Sequence, residues 1–286
     1  MTVSRIAFAG ERGSFAEDAV LAYAPGAEAC PVPGFREVFE AVSDGDGLAA
    51  GVLPIENLVN GTVREVYDLL LEHSLEIVGE VIVPVRLCLA ALPGETVASI
   101  ERVYSHIQAL GQAEAFLRSR PWSLLTTYNT AGSGRMIAES RERGAAAVLS
   151  PRAATLFGLE VLVADIQTEP LNRTRFLAVS RPGVGGPPEA PPPDDARPRR
   201  TTLAMTVRNE PGSLHRCLGV LDEAGLNLDK LESRPSRARA WEYVFWMDAD
   251  ADLRDPRVQA AFKRLEGASS TLRVLGSYAK AEEPPG

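Results

Sequence analysis

Cysteine, long apolar runs and positive charge are all scarce in this chain, and each scarcity removes a class of protein. Three cysteines, Cys30, Cys88 and Cys217, are scattered through 286 residues without metal-ligand spacing, so no metal is expected and the thiols read as buried groups in a reducing compartment. No stretch approaches the roughly 20 apolar residues of a membrane helix. The first ten residues pass almost directly into an apolar strand without a charged leader, which predicts a cytoplasmic protein with no membrane partner. Lys and Arg number 30 against 38 Asp and Glu, a formal charge of -8. An acidic average argues against a nucleic-acid partner, so an anionic ligand has to be caught by local geometry.

What is present is ordinary globular usage, 45% hydrophobic and 24% charged, in a length that suits one large domain and a small one. Proline and glycine gather in residues 181–199, where no periodic apolar position remains. Such a segment cannot bury enough surface to fold and acts as a spacer. It divides a domain of residues 1–180 from one of residues 200–278, followed by a short tail, 279–286.

The first domain repeats one pattern: a short apolar run, a turn, then apolar positions at helical spacing, as in Ile6 to Ala9 followed by Phe15, Ala19, Val20 and Tyr23. Repeated units of this kind predict an α/β fold with a mostly parallel sheet and helices on both faces. Ligands in such folds sit beyond the carboxyl ends of the strands. Four of the turns there carry a small hydroxyl near a helix start: Ser14, Thr62, Thr130 and Ser150. Each suits a helix cap, and helix starts that face one cleft would also hold a small polyanion. Pro54 is expected to end a buried strand, with Glu56 and Asn57 at its exit.

Residues 172 to 176 read Asn-Arg-Thr-Arg-Phe, where a turn gives way to a strand. Guanidinium groups on both sides of a hydroxyl favour an anion there. Thr and Arg are also common on solvated strand faces, and Arg173 fits that reading. His106, at a strand-helix junction, reads as a capping or packing group, and His73 and His215 carry no visible role.

Taken in order, Gly10-Glu-Arg-Gly-Ser-Phe, Pro54-Ile-Glu-Asn with Gly61-Thr62, Ser105-His106-Ile-Gln-Ala-Leu, Thr130-Ala-Gly, Ala147-Val-Leu-Ser150 and Asn172-Arg-Thr-Arg-Phe176 give the chain a close resemblance to the prephenate dehydratase family. The resemblance implies a two-lobed, periplasmic-binding-protein-like catalytic domain that converts prephenate to phenylpyruvate in its cleft without a cofactor. It places the family's catalytic motif on Thr174, Arg175 and Phe176. Thr174 would ease off the leaving hydroxyl, Arg175 would clamp a carboxylate and Phe176 would pack beside the ring. Substrate contacts would fall on Asn57, Thr62, Thr130 and Ser150, with Glu56 as an alternative acid. Leu58, Ile107 and Asn129 depart from the residues usual at those positions. Arogenate, the amino analogue, is an alternative substrate, and a non-catalytic amino-acid sensor an alternative role.

The small domain reads as strand, helix, strand, strand, helix, strand, the ferredoxin-like order, and resembles the ACT regulatory domain. Two motifs carry this: Asn209-Glu-Pro211-Gly212-Ser213-Leu214 and Glu232-Ser233-Arg234-Pro235. In related dehydratases they flank a pocket for feedback L-phenylalanine between paired domains, which implies that effector and a homodimer or homotetramer. Ser213 replaces the alanine common there.

Overall fold

The structure, a computed structural model, describes residues 3–45, 47–192, 196–236 and 242–284. The first lobe is built from β1 (Arg5–Ala9), α1 (Phe15–Tyr23), β2 (Glu28–Val32), α2 (Phe35–Asp44), β3 (Leu48–Asn57), β4 (Gly61–Thr62), α3 (Arg64–Glu72) and β5 (Glu76–Pro84). The chain then crosses to a second lobe of β6 (Cys88–Ala91), β7 (Arg102–Ser105), α4 (Ile107–Gln112), α5 (Glu114–Leu117), β8 (Ser123–Thr126), α6 (Thr130–Ser140), β9 (Ala145–Leu149), α7 (Pro151–Leu156) and β10 (Glu160–Val163). It returns to the first lobe as β11 (Arg173–Ser180). Each lobe therefore has its own sheet, in the orders β2-β1-β3-β11-β5 and β10-β6-β9-β7-β8, with β4 beside β3. The chain that carries the Asn172 to Phe176 motif is the one that closes the first sheet.

Parallel pairing covers only part of this architecture. β1 runs parallel to β2 and β3, whereas β11 is antiparallel to both β3 and β5. The returning strand enters from the other lobe, and it can fill the gap between β3 and β5 only in the opposite direction.

Pro54 does not end its strand. β3 continues to Asn57 because a bulge absorbs the proline: Phe176 faces Pro54 and Arg175 faces Glu56, so Ile55 is the extra residue. Proline has no N–H for the ladder and is tolerated at such points. The bulge also resets the faces of the strand. Leu53 and Ile55 lie in one core with Leu177, and Glu56 pairs with Arg175 on that same side. Asn57 thereby reaches the opposite side, beside Thr174.

The small domain comprises β12 (Arg199–Thr206), α8 (Ser213–Glu223), β13 (Leu228–Pro235), β14 (Tyr243–Ala249), α9 (Pro256–Ala268) and β15 (Thr271–Ala279), with sheet order β13-β14-β12-β15. Its two helices cover one sheet face through Leu203, Met205, Met247, Cys217, Leu221 and Phe262. The other face packs on the first lobe: Ala204, Trp246, Leu275 and Tyr278 join its core with Leu69, Leu70 and Ile77. Trp246 stands edge-on to Tyr67 with ring centroids 4.6 Å apart. A Cβ on Gly276 would lie 2.1 Å from the Ile77 carbonyl oxygen, so only glycine permits this approach of β15 to the first lobe. Part of the first sheet is thus covered by a second sheet, where the sequence pattern predicts helices on both faces. The spacer also makes contacts, for Ala190 packs on the first lobe and Glu189 Oε1 accepts the Ser4 N–H at 3.1 Å. Residues 193–195 of the spacer lie outside the described residues.

Candidate active site

β3 and β11 bring the motif residues together at the edge of the first lobe nearest the second. Asn57 is buried there, and its Oδ1 accepts the backbone N–H groups of Val59 at 3.0 Å and Asn60 at 2.9 Å. Those two donors fix which end of the amide is oxygen. Nδ2 then donates toward Thr174 Oγ1 at 2.9 Å, Asn172 Oδ1 at 2.9 Å and the Arg173 carbonyl at 3.1 Å. Because Asn57 supplies the hydrogen in the contact with Thr174, the Thr174 O–H remains available to donate elsewhere.

Phe176, on the same side as Thr174, is 2% exposed and packs with Phe8, Val83 and the edge of Phe15. It is a wall of the first-lobe core. Asn172, also 2% exposed, has an Nδ2 without a hydrogen-bond partner.

Thr130 and Ser150 meet in a pocket between the lobes, about 210 Å3 in volume and lined also by Gly13, Ser14, Phe15, His106, Tyr128, Asn129 and Ala131. Local capping shapes its walls. Ser14 caps α1, His106 caps α4 through Nδ1, and Asn129 caps α6 by accepting from Ala131 and Gly132. Asn129 relieves Thr130 of the capping duty. Ser150 both caps α7 and donates to the Gly13 carbonyl across the lobe boundary at 3.1 Å. Its proton is committed to holding the lobes together. Among the described residues no guanidinium or ammonium lines this pocket, and the positive ends of α1 and α6 supply attraction for an anion. Thr174 and Asn57 are not among the lining residues; Phe15 connects the two groups, since it lines the pocket and packs against both lobe cores.

Two ionic ties close the lobes near this pocket. Arg135 of α6 grips Glu11 with two nitrogens at 3.0 Å, and Tyr128 donates to the same carboxylate. The Arg135 hydrogen bond holds the Glu11 carboxyl below its usual range although burial opposes it. Arg152 of α7 meets Glu17 at 2.6 Å and Asp18 at 3.3 Å. Burial lifts the Asp18 carboxyl to about 6 in spite of Arg152.

Glu56, Thr62 and Arg175 stand on the opposite face of the sheet and do not reach the cleft. Arg175 binds Asp248 Oδ2 of the small domain at 2.6 Å, Glu80 at 3.4 Å and Glu56 at 3.7 Å. Burial works against its charge, but Asp248, Tyr278 and Glu80 outweigh that and hold it protonated. Glu56 also meets Lys230 of β13 at 3.1 Å, and the Thr62 hydroxyl donates to Glu232 at 2.6 Å. The placement of Arg175 as a carboxylate clamp, of Thr62 as a substrate contact and of Glu56 as a cleft acid is therefore corrected. Strand alternation and the bulge turn all three toward the regulatory side.

The same alternation divides the second small-domain motif. Glu232 and Arg234 face the first lobe, where Arg234 binds Asp68 at 3.1 Å and the Arg64 carbonyl at 2.8 Å. Ser233 and Pro235 share the other face with Phe245 and Tyr243. That face adjoins a pocket of about 610 Å3 lined by Asn209, Gly212, Ser213, Leu214, Tyr243 and Phe245. Gly212 caps α8 at a φ of 80°, a conformation that suits glycine. Pro211 stands beside this pocket, with its carbonyl accepting from Arg216.

A cleft walled by helix starts, joined to a small α/β domain with a pocket of its own, defines a two-lobed ligand-binding enzyme fold with an attached regulatory module. The prephenate dehydratase family description matches residues 6–183, and the ACT domain description matches residues 201–267. The chain belongs to the prephenate dehydratase family, whose members are lyases. It is 38% identical to arogenate dehydratase/prephenate dehydratase 2, chloroplastic, of Arabidopsis thaliana, over 96% of this chain and 72% of that one. The solved structure of a prephenate dehydratase from Arthrobacter aurescens in complex with L-Phe superposes with a TM-score of 0.84 at 32% identity, covering 99% of this chain and 92% of the other. A structure described as a novel type of quorum quenching acylase is equally similar, with a TM-score of 0.85, 33% identity and coverage of 96% and 98%.

Proposed function

We propose that the chain catalyses the decarboxylating dehydration of prephenate to phenylpyruvate, with Thr174 assisting the departing ring hydroxyl. The observation that carries this is the direction of the Asn57 contact: an amide N–H on Thr174 Oγ1 polarises the hydroxyl and leaves its proton free to be donated elsewhere. Loss of carbon dioxide and hydroxide makes the ring aromatic, so the reaction runs downhill and requires orientation and leaving-group assistance. Holding a dianion by helix starts supplies the first, worth up to about 7–11 kcal/mol in favourable cases. Donation from Thr174 supplies the second, typically about 100- to 10,000-fold.

Feedback by L-phenylalanine at the pocket around Asn209 to Leu214 is part of this reading. It is supported by the ACT match and by the L-Phe complex of the Arthrobacter relative. A homodimer or homotetramer is part of the same reading, supported by β13, an edge strand beside that pocket on which Leu231 is 44% exposed. The free state of Cys30, Cys88 and Cys217 supports a reducing compartment such as the cytoplasm.

Arogenate is the second reading, favoured by the Arabidopsis relative, which is named for both activities. An acylase reading is less well supported, because a threonine nucleophile wants a base at its proton, whereas Thr174 receives an amide N–H. Purified chain is given prephenate and arogenate, with and without phenylalanine, and the aromatic product is followed by absorbance. Turnover of either substrate establishes dehydration. Binding without product returns the chain to the sensor role.

A further inference from the structure

Arg175 follows Thr174 directly, so whatever holds the Arg175 side chain on one face of β11 sets the pitch at which Thr174 leaves the other. The ladder does this from one side only, since β11 pairs with β5 in unbroken register from Arg173 to Ala178 but not so with β3. The bulge at Ile55 falls between Arg175 and Phe176, where the register with β3 shifts, and a bulged pair has a locally disrupted hydrogen-bond pattern. On that side three carboxylates hold the guanidinium. Glu80 is shared with Arg200 at 2.5 Å, and Glu56 is shared with Lys230 at 3.1 Å. Asp248 is the closest to Arg175, at 2.6 Å. It is itself fixed, being 3% exposed and accepting the Thr202 hydroxyl at 2.6 Å, while Tyr278 meets that hydroxyl from behind. A carboxylate clamped in this way gives Arg175 one position rather than a range.

We propose that Asp248, a residue of the regulatory domain, is a positioning residue for the dehydration, acting through Arg175 on the orientation of Thr174. The proposal rests on the dehydratase reading and deepens it. The regulatory sheet is then part of the catalytic apparatus, because it supplies the anchor behind the strand that carries the reacting hydroxyl. Loss of Asp248 leaves substrate contacts in the cleft intact and lets Thr174 swing, so turnover falls while substrate affinity holds.

The experiment uses the full chain and steady-state turnover of prephenate and arogenate. Failure of the unaltered chain on both sinks the dehydratase reading itself, before any variant is compared. Asp248→Asn is expected to lower kcat tenfold or more with KM within threefold, and combining it with Arg175→Gln is expected to cost no more than Arg175→Gln alone. Arg273→Met serves as the control, since Arg273 ties the same two domains through the carbonyls of Leu71 at 2.9 Å and His73 at 2.5 Å, away from β11. It is expected to lower the melting temperature and leave kcat within twofold. If Asp248→Asn behaves like Arg273→Met, or its loss multiplies with that of Arg175→Gln, the proposal is overturned. Should Asp248→Asn fail to fold, Asp248→Glu reads the same point: the added methylene displaces the guanidinium and lowers kcat, and an unchanged kcat overturns the proposal.

Discussion

Replacing Asn57 by Asp changes one atom of the site and removes the donor of three contacts, of which the one to Thr174 reverses. In Asn57→Asp the first oxygen still accepts from Val59 and Asn60, so the turn at residues 58–60 keeps its two anchors. The second oxygen occupies the place of Nδ2 and cannot donate to Thr174; it accepts the Thr174 proton instead. The hydroxyl is then committed to the carboxylate and lost to the substrate. The folding cost is modest, about 1–3 kcal/mol, because Asn172 carries an unpartnered Nδ2 that an amide rotation can offer to the new carboxylate. The catalytic cost is larger: a kcat lower by about 100- to 10,000-fold, or about 3–5 kcal/mol of barrier. The assay is phenylpyruvate formation at saturating prephenate, with a melting curve to establish folding. The deficit should shrink as pH is lowered toward the ordinary carboxylate range near 4, where a protonated acid can donate again. A folded Asn57→Asp protein with kcat within threefold of the parent would refute the role given to this contact.

The remaining expectations follow from neighbouring features. Thr174→Ala should lose about 100-fold or more in kcat, and Thr174→Ser should recover most of it; near-normal turnover of the alanine variant in the same assay would remove Thr174 from the mechanism. Burial lifts the Asp18 carboxyl from 3.8 to about 6, so the folded state binds more protons than the unfolded between those values. Stability therefore falls as pH rises through that window, by at most about 3 kcal/mol. Asp18→Asn should melt higher than the parent at pH 8 and no higher at pH 4, and a pH-independent gap would refute the assignment. Gly276→Ala drives a methyl into the Ile77 carbonyl and should cost about 1–3 kcal/mol of stability, with turnover reduced through the shifted regulatory sheet; an unchanged melting curve would show that the sheets can part at no cost. Asn209→Ala should abolish the phenylalanine response in a turnover titration and leave activity without phenylalanine unchanged.

Much of this was legible in the sequence because it depends on local pattern. The strand-helix units, the spacer and the six elements of the small domain follow from apolar spacing and from proline and glycine placement. Of the four hydroxyls read as helix starts, Ser14 and Ser150 do cap α1 and α7, whereas Asn129 caps α6 in place of Thr130 and Thr62 lies in β4. What could not be read was which side of a strand each motif residue faces. Thr174 and Arg175 look like one unit in sequence, yet period-two alternation sends them to opposite faces. The bulge at Ile55, which puts Asn57 beside Thr174 and Glu56 beside Arg175, left a trace in Pro54, because a proline inside a strand-like run marks a bulge or an edge. Asp248 left none. It lies 73 residues from Arg175 in the chain, and only the docking of two sheets brings them together.

The central claim is that the motif is split, with Thr174 serving the cleft and Arg175 anchoring the strand to the regulatory domain. The most direct test is the KM of Arg175→Met for prephenate, measured beside its kcat. Anchoring predicts a KM within about threefold of the parent and a kcat lower by tenfold or more. A carboxylate clamp would instead raise KM by a hundredfold or more, and that result would contradict the account.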